Sequence, residues 1–443
     1  MISRIPWLPA LCLMALWAGG SRLCAQTAGP ETAPAPAAAP PAAAQITPLG
    51  QVPDWSRLAA FAKTLTESEF TATLRDIYLE PTRYPVPWIV GPDGVKIQTG
   101  VPDAPAVTVP FAGRWEPKAR PPRYWRHAAE LPPRADRPPL SDLHIAIDPG
   151  HIGGSYGVME ERHLSFQPGE AIQEGDLSLL TARVLETRLR DLGAYVTLVR
   201  QHPQPVTTKT PGDFRPLAAE TLRQAGFTAP ADSYEGLRGE ARLLTLQWQS
   251  EKFFYRIAEI HARAVRVNEE IRPDLVLCLH FNAESWGDAT APQYSPVNHL
   301  HLLINGCYSP AELASQDTRF EMFHRLFSRV WEEEIPLAST LADTLAASTG
   351  LPAYTYTTPN ALPLQGSPYV FARNLLANRL YQCPVVFFEP YVMNHQQTYR
   401  RLLLGHWVGR TLIDGTLQSS AIEDYVQGIV KGLLKHYQTR RPA

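Results

Sequence analysis

The stretch LHIAIDPGH, residues 143–151, sets the reading of the whole chain. It is a short apolar run containing two isoleucines that stops at Pro149-Gly150, so it reads as a buried strand ended by a turn. Beyond it, Leu177, Leu180, Val184, Leu189 and Leu192 recur at helical spacing over 176–192, and Gly193 closes the helix. YVTLV (195–199) is β-branched and strand-like. Strand, helix and strand form a βαβ unit with a right-handed crossover expected. Further apolar strands follow at LVLCLH (275–280), HLHLLI (299–304) and PVVFFE (384–389). Helical patterns occupy 237–270, 317–334, 337–349 and 422–436. Alternation of this kind predicts an α/β fold: a mixed, mostly parallel sheet covered by helices on both faces.

Outward from this core the chain changes character. Its 443 residues are 44% hydrophobic and 19% charged, so the signature of disorder is missing from most of it. At about 100–200 residues per domain, length alone suggests two to four domains. The 42 prolines are roughly twice the usual share of about 5% and imply long connections. Residues 1–25 place Arg4 ahead of an apolar stretch (5–18) and then small and polar residues, which reads as a signal peptide. That stretch is shorter than the roughly 20 residues of a membrane-spanning helix. Lipid attachment at Cys24 is a rival reading, and either one implies export. Residues 26–50 are an Ala/Pro-rich linker. Residues 51–140 read as a small α+β module. It has one or two helices through Leu58, Phe61, Leu65, Phe70, Leu74 and Ile77, a hairpin turning at Pro92-Asp93-Gly94, and a Pro-rich connection over 101–140. Residues 141–443 form the main domain, with insertions at about 201–255 and 284–336.

Lysine plus arginine (41) nearly balances aspartate plus glutamate (43), and no long basic run occurs, which argues against a nucleic-acid partner. Five cysteines without a CxxC pair argue against a disulfide framework and a thiolate zinc cluster. Cys278 and Cys383 lie in apolar runs and read as buried small hydrophobes.

In open α/β sheets, ligands gather beyond the carboxyl ends of strands. Three of the strands run into a metal ligand or base, namely His151, His280 and Glu389, and Glu174 stands just ahead of the first helix. Zinc held by three nitrogen and oxygen ligands keeps a fourth position open for a water of near-neutral pKa. A further carboxylate outside the metal shell moves the proton, and Glu389 suits that role.

At these residues the chain resembles the zinc-dependent N-acetylmuramoyl-L-alanine amidases of the cell-wall hydrolase type. IAIDPGHIGG looks like that family's strand and Asp-Pro-Gly-His turn. EGDLSLLTARVLETRLRDLGAYVTLVR is similar to its glutamate, helix and next strand, DLVLCLHFNA to its second histidine strand, and PVVFFEPYVMN to its catalytic-glutamate strand. The resemblance implies that His151, Glu174 and His280 ligate Zn2+ and that Glu389 is the catalytic base. It also implies that Arg373 stabilises the oxyanion, with Arg379 competing, and that Asn282 fixes a loop. Ile152 departs from the pattern, and the long gap from His151 to Glu174 leaves Glu160, Glu161 and Glu170 as competing third ligands; Glu174 alone begins an amphipathic helix. The implied activity is hydrolysis of the amide between N-acetylmuramic acid and L-alanine in peptidoglycan, in the periplasm or cell envelope. A catalytically silent wall-binding protein and a zinc peptidase for another amide are the alternatives.

Other residues have plainer readings. His299 and His301 share one strand face and are either a second metal pair or polar residues facing solvent or the insertion. Trp115, Trp125 and Trp248 read as local core. Lys431, Lys435, Arg440 and Arg441 read as a solvated helix end. Residues 284–336 are a candidate for a segment that blocks the site.

Overall fold

Period-two apolar runs without internal Gly or Pro pair into strands, and the expected ones all form. The computed structural model describes residues 45–442 apart from 82–83, 101–105, 134–135, 286 and 288–291. The expected signal peptide (1–25) and residues 26–44 of the expected linker lie outside the described residues. The central strands are β1 (His144–Pro149), β2 (Tyr195–Leu198), β3 (Leu275–Leu279), β4 (Leu300–Ile304), β5 (Leu362–Pro363), β6 (Val370–Ala372) and β7 (Val385–Pro390). They form one sheet in the order β5-β6-β4-β7-β3-β1-β2. The β1–β2, β1–β3, β3–β7 and β4–β6 pairs are parallel, whereas β4–β7 and β5–β6 are antiparallel. The fold is therefore α/β with a mixed, mostly parallel sheet, as the sequence predicts.

Helices cover both faces. On one face lie α1 (Glu174–Asp191), α3 (Trp331–Thr349) and α4 (Ala421–Arg440), whose Leu185, Leu341 and Ile429 join Ile145, Leu277, Leu302 and Phe388 in the principal apolar core. On the other, Ala264 and Val267 of the helical run 246–271 pack with Ala146, Cys278, Leu303 and Phe387. Among the described residues no helix is long and apolar enough to cross a membrane.

Several boundaries moved. The helix expected over 317–334 ends at Ser328, where Arg329 takes a left-handed φ of 58°. The next helix starts at Trp331 and runs through Pro336. The 51–140 module has the expected hairpin, with Gly91 paired to Gly94, but among the described residues it has no separate core. Its Phe61 and Phe70 stack on Phe323 and Phe327 of α2 (Gln316–Ser328), Trp88 meets Phe323 edge-on, and all three merge with the main core. The same helix corrects the reading of 284–336 as a plug: this segment holds the central strand β4 and the buried α2, so it is framework. Arg441 is buried, donating to the carbonyls of Pro132 and Ser141, and is not a solvated end. Trp125 and Trp248 are buried as expected, but Trp115 is 88% exposed. Cys278, Cys307 and Cys383 are free and buried.

Candidate metal centre

The site begins with the backbone after β1. His151 adopts a left-handed φ of 55°, uncommon for a residue with a side chain. Two buried side chains hold it there. Arg263 donates to Asp148 Oδ1 (2.9 Å), to the Pro149 carbonyl (2.8 Å) and to the His151 carbonyl (2.7 Å). Glu160 accepts the amides of Ile152 (2.9 Å) and Gly153 (3.1 Å). Glycine is required on both sides of the turn. A Cβ at Gly150 would lie 2.2 Å from the His280 ring, and one at Gly175 would lie 2.2 Å from the Gly153 nitrogen. The first turn of α1 therefore sits directly on the His151 loop, which brings Glu174, its first residue, to the strand ends.

His151, Glu174 and His280 converge, with one ligand atom from each lying within 4.8 Å of the others. The Glu174 carboxylate is flanked by His151 Nε2 at 3.2 Å and His280 Nδ1 at 2.9 Å. Burial opposes the charge on Glu174, but the two imidazoles outweigh it and hold the carboxyl well below its usual range. Burial also lowers His151, yet Glu174 and Glu160 overcome it and raise the imidazole to about 9. His280 is lowered by burial despite Glu174. Two partly exposed imidazoles converging on a buried carboxylate, closed around by glycine backbone, are a donor set that fits a divalent cation of borderline softness such as zinc.

The competing carboxylates separate cleanly. Glu160 Oε1 lies 3.4 Å from His151 Nδ1, behind the ring and away from Glu174. Glu161 pairs with Arg242 at 2.6 Å, and Glu170 sits on an exposed hairpin strand. Glu389 lies on β7 beside the cluster. Burial, and next the negative charge of Glu174, push its carboxyl up to about 8 against the pull of His151, Arg162 and Arg373. Arg373 follows β6 and reaches Tyr356, with Nη1 3.4 Å from the phenol oxygen. Arg379 is turned away, bound to Glu321 Oε2 at 2.6 Å and Asn374 Oδ1 at 3.1 Å. Asn282 ties the loop after β3 to the chain after β7, bridging to Val392.

His299 and His301 do not face solvent, because β4 is an interior strand. Both imidazoles are buried against Tyr354, with ring centres 4.5 and 4.9 Å away. His299 Nε2 meets Glu284 Oε1 at 3.1 Å, and among the described residues neither imidazole belongs to a group of three side chains placed to hold a metal. Sequence reading missed Arg162, whose Nε is 3.1 Å from Glu174 Oε2, and Arg263. Nothing local in the sequence distinguishes either from the chain's other arginines.

No family model matches the chain, and no curated protein does. Solved structures do match. They include the N-acetylmuramyl-L-alanine amidase Ami1 from Mycobacterium smegmatis, 14% identical over 68% of this chain and 99% of that chain, with a TM-score of 0.35. Another is the amidase AmiC2 of Nostoc punctiforme, 14% identical over 68% and 99%, with a TM-score of 0.35. A third is the CwlD amidase from Clostridioides difficile in complex with the GerS lipoprotein, 12% identical over 67% and 100%, with a TM-score of 0.36.

Proposed function

We propose that the protein is an exported, zinc-dependent amidase hydrolysing the N-acetylmuramoyl-L-alanine bond of peptidoglycan. The observation that carries this reading is the convergence of His151, Glu174 and His280 beside a carboxyl held near neutrality, Glu389. His151, Glu174 and His280 would hold the zinc, which when bound supplies a Lewis acid and acidifies a water. Glu389 takes the proton of the attacking water and returns it to the leaving amine of alanine, a task suited to a group titrating close to the working pH. Glu160 holds the His151 ring and Arg263 holds its backbone, so the site keeps its shape through turnover. Arg373, whose charge acts on Glu389, would supply positive charge for the oxygen that becomes negative.

Export follows from the reading of residues 1–25, and the periplasm or cell envelope is where such a substrate lies. The test is release of stem peptides from purified peptidoglycan, with chelator and after zinc is restored. Release that chelator stops and zinc recovers supports the reading; no release with zinc present overturns it.

A further inference from the structure

The hairpin that separates His151 from Glu174 places a cation at the site for which the reaction above has no role. Its strands, His163–Gln167 and Glu170–Gln173, pair antiparallel with His163 opposite Gln173. The next rung sets Arg162 opposite Glu174, and the Glu174 amide donates to the Arg162 carbonyl at 3.2 Å. Glu161, with a left-handed φ of 57° and its carboxylate paired to Arg242, turns the chain into this rung. The hairpin is also fastened nearer its tip. Phe166 stacks on Tyr294 with ring centres 3.8 Å apart, and its amide donates to the Tyr399 hydroxyl at 3.3 Å. Arg162 is thereby fixed with Nε 3.1 Å from Glu174 Oε2, the same oxygen that His151 Nε2 meets at 3.2 Å. Its Nη1 donates to the Glu161 carbonyl at 3.0 Å, and its Nη2 donates to no group among the described residues. Side-chain exposure rises from 3% at Glu174 through 15% at His280 and 18% at His151 to 29% at Arg162. The guanidinium therefore stands on the solvent side of the cluster, the side from which a substrate approaches.

A guanidinium is poorly suited to holding Glu174 and nothing more. It repels a divalent cation bound to the same carboxylate, whereas an uncharged donor would hold that oxygen without repulsion, and two imidazoles already flank it. A fixed cation with an unused N–H is suited to an oxygen that gains negative charge next to the cluster. We infer that Arg162 is a catalytic residue that donates through Nη2 to the amide oxygen of the substrate as that oxygen becomes negative. The inference rests on the amidase reading for its substrate. As the water oxygen bonds to the amide carbon, the carbonyl π pair moves onto the amide oxygen. It returns when the C–N bond breaks and the alanine nitrogen leaves with the proton carried by Glu389. The contact is strongest while the oxygen holds the charge, so it lowers the barrier more than it tightens binding of the substrate. It acts alongside the charge proposed for Arg373.

The test uses a probe that needs no turnover: dimethylphosphinate, a tetrahedral monoanion that mimics the charged centre. Its binding to the zinc-loaded full chain is measured by calorimetry for the wild type, Arg162→Met and Arg162→Lys, together with the zinc affinity of each protein. Arg162→Met is expected to weaken phosphinate binding by about tenfold or more, while zinc affinity is unchanged or higher. Arg162→Lys, which keeps the charge without the forked donor, is expected to lose less. On a soluble muramyl peptide at saturating zinc, kcat of Arg162→Met should fall by about 10²–10³-fold, the cost of removing one oxyanion donor, with KM nearly unchanged. Phosphinate binding that is absent in the wild type, or indifferent to Arg162→Met, overturns the inference. A zinc affinity lowered about 10–100-fold in Arg162→Met also overturns it, because that loss marks a partner that only holds a ligand. If the wild type cleaves no peptide yet binds the phosphinate through Arg162, the amidase reading fails and the oxyanion site stands.

Discussion

The two faces of one sheet do different work, and the division runs residue by residue along single strands. On β7, Val386 and Phe388 enter the large core beneath α3 and α4, whereas Phe387 and Glu389 face the other way. On β4, Leu300, Leu302 and Ile304 take the first face, and His301, directly opposite Glu389 in the antiparallel register, takes the second. The first face is a continuous apolar layer. The second carries the buried Arg263–Asp148 pair, the His280 ring stacked 4.2 Å from Phe387, and the carboxyl of Glu389. Stability can therefore be removed from one face and chemistry from the other with neighbouring substitutions on the same strand.

The largest expected effect is on the chemical face. Glu389→Gln removes the proposed proton carrier while keeping the shape of the side chain, and a general base contributes about 10²–10⁴-fold. Stem-peptide release should fall by that factor, while the metal content of the purified protein and its denaturation midpoint stay as in the wild type. Loss of zinc as complete as in His280→Ala would mean that Glu389 is a ligand and that the division of roles is wrong.

One residue away, Phe388→Ala should do the reverse. Truncating a fully buried phenylalanine costs about 3–5 kcal/mol through lost burial and the cavity left behind, and Phe388 is 0% exposed. Urea unfolding should show that loss. Under conditions where the variant is folded, its kcat should lie within a few-fold of the wild type. A stability unchanged by Phe388→Ala would break the assignment of that face as the structural one.

Much of this division was legible in the chain, and the gaps have physical causes. Apolar runs announce strands, so β1, β2, β3, β4 and β7 are found within a residue or two, and His151, His280 and Glu389 fall at strand ends. Periodicity carries no direction, however, and nothing in HLHLLI shows that β4 runs antiparallel to β7 and is an interior strand. That is why His299 and His301 read as edge residues. The short β5 and β6 have too few residues to show a pattern at all. An amphipathic helix shows that it has an apolar face without showing what covers it, so the sharing of one core by 51–140 and α2 was invisible. Glu160 and Glu174 are chemically identical. Only the folded loop separates the carboxylate that meets both imidazoles from the one behind His151.

Those two carboxylates give a finer cut within the chemical face. Glu160→Gln keeps the acceptor for the Ile152 and Gly153 amides but removes the charge behind His151. Such supporting partners are worth about 10–100-fold in metal affinity. Zinc affinity measured by competition with a chromogenic chelator should drop by that factor, with a much smaller change in kcat at saturating zinc. Unchanged affinity would show that Glu160 only holds the loop.

The gentlest probe is pH, and it sets the two states of the site against each other. In the metal-free protein His151 is raised from 6.5 to about 9 by the carboxylates around it, which overcome its burial. A group whose pKa is higher in the folded state contributes stability that is fully present below the unfolded value and is lost as pH rises through the folded one. Glu389, raised from 4.5 to about 8, acts in the same direction. Metal-free protein should therefore lose stability steadily between pH 6.5 and 9. Zinc binding requires the neutral imidazole, so apparent zinc affinity should rise over that same interval, by about tenfold per pH unit where one proton is displaced. With excess zinc the fall in stability should flatten or reverse, since a ligand that binds only the folded state adds its binding free energy. Parallel pH profiles for the chelated and zinc-loaded protein would mean that His151 is not among the metal's ligands, whereas profiles that diverge toward pH 9 locate the linkage at that imidazole.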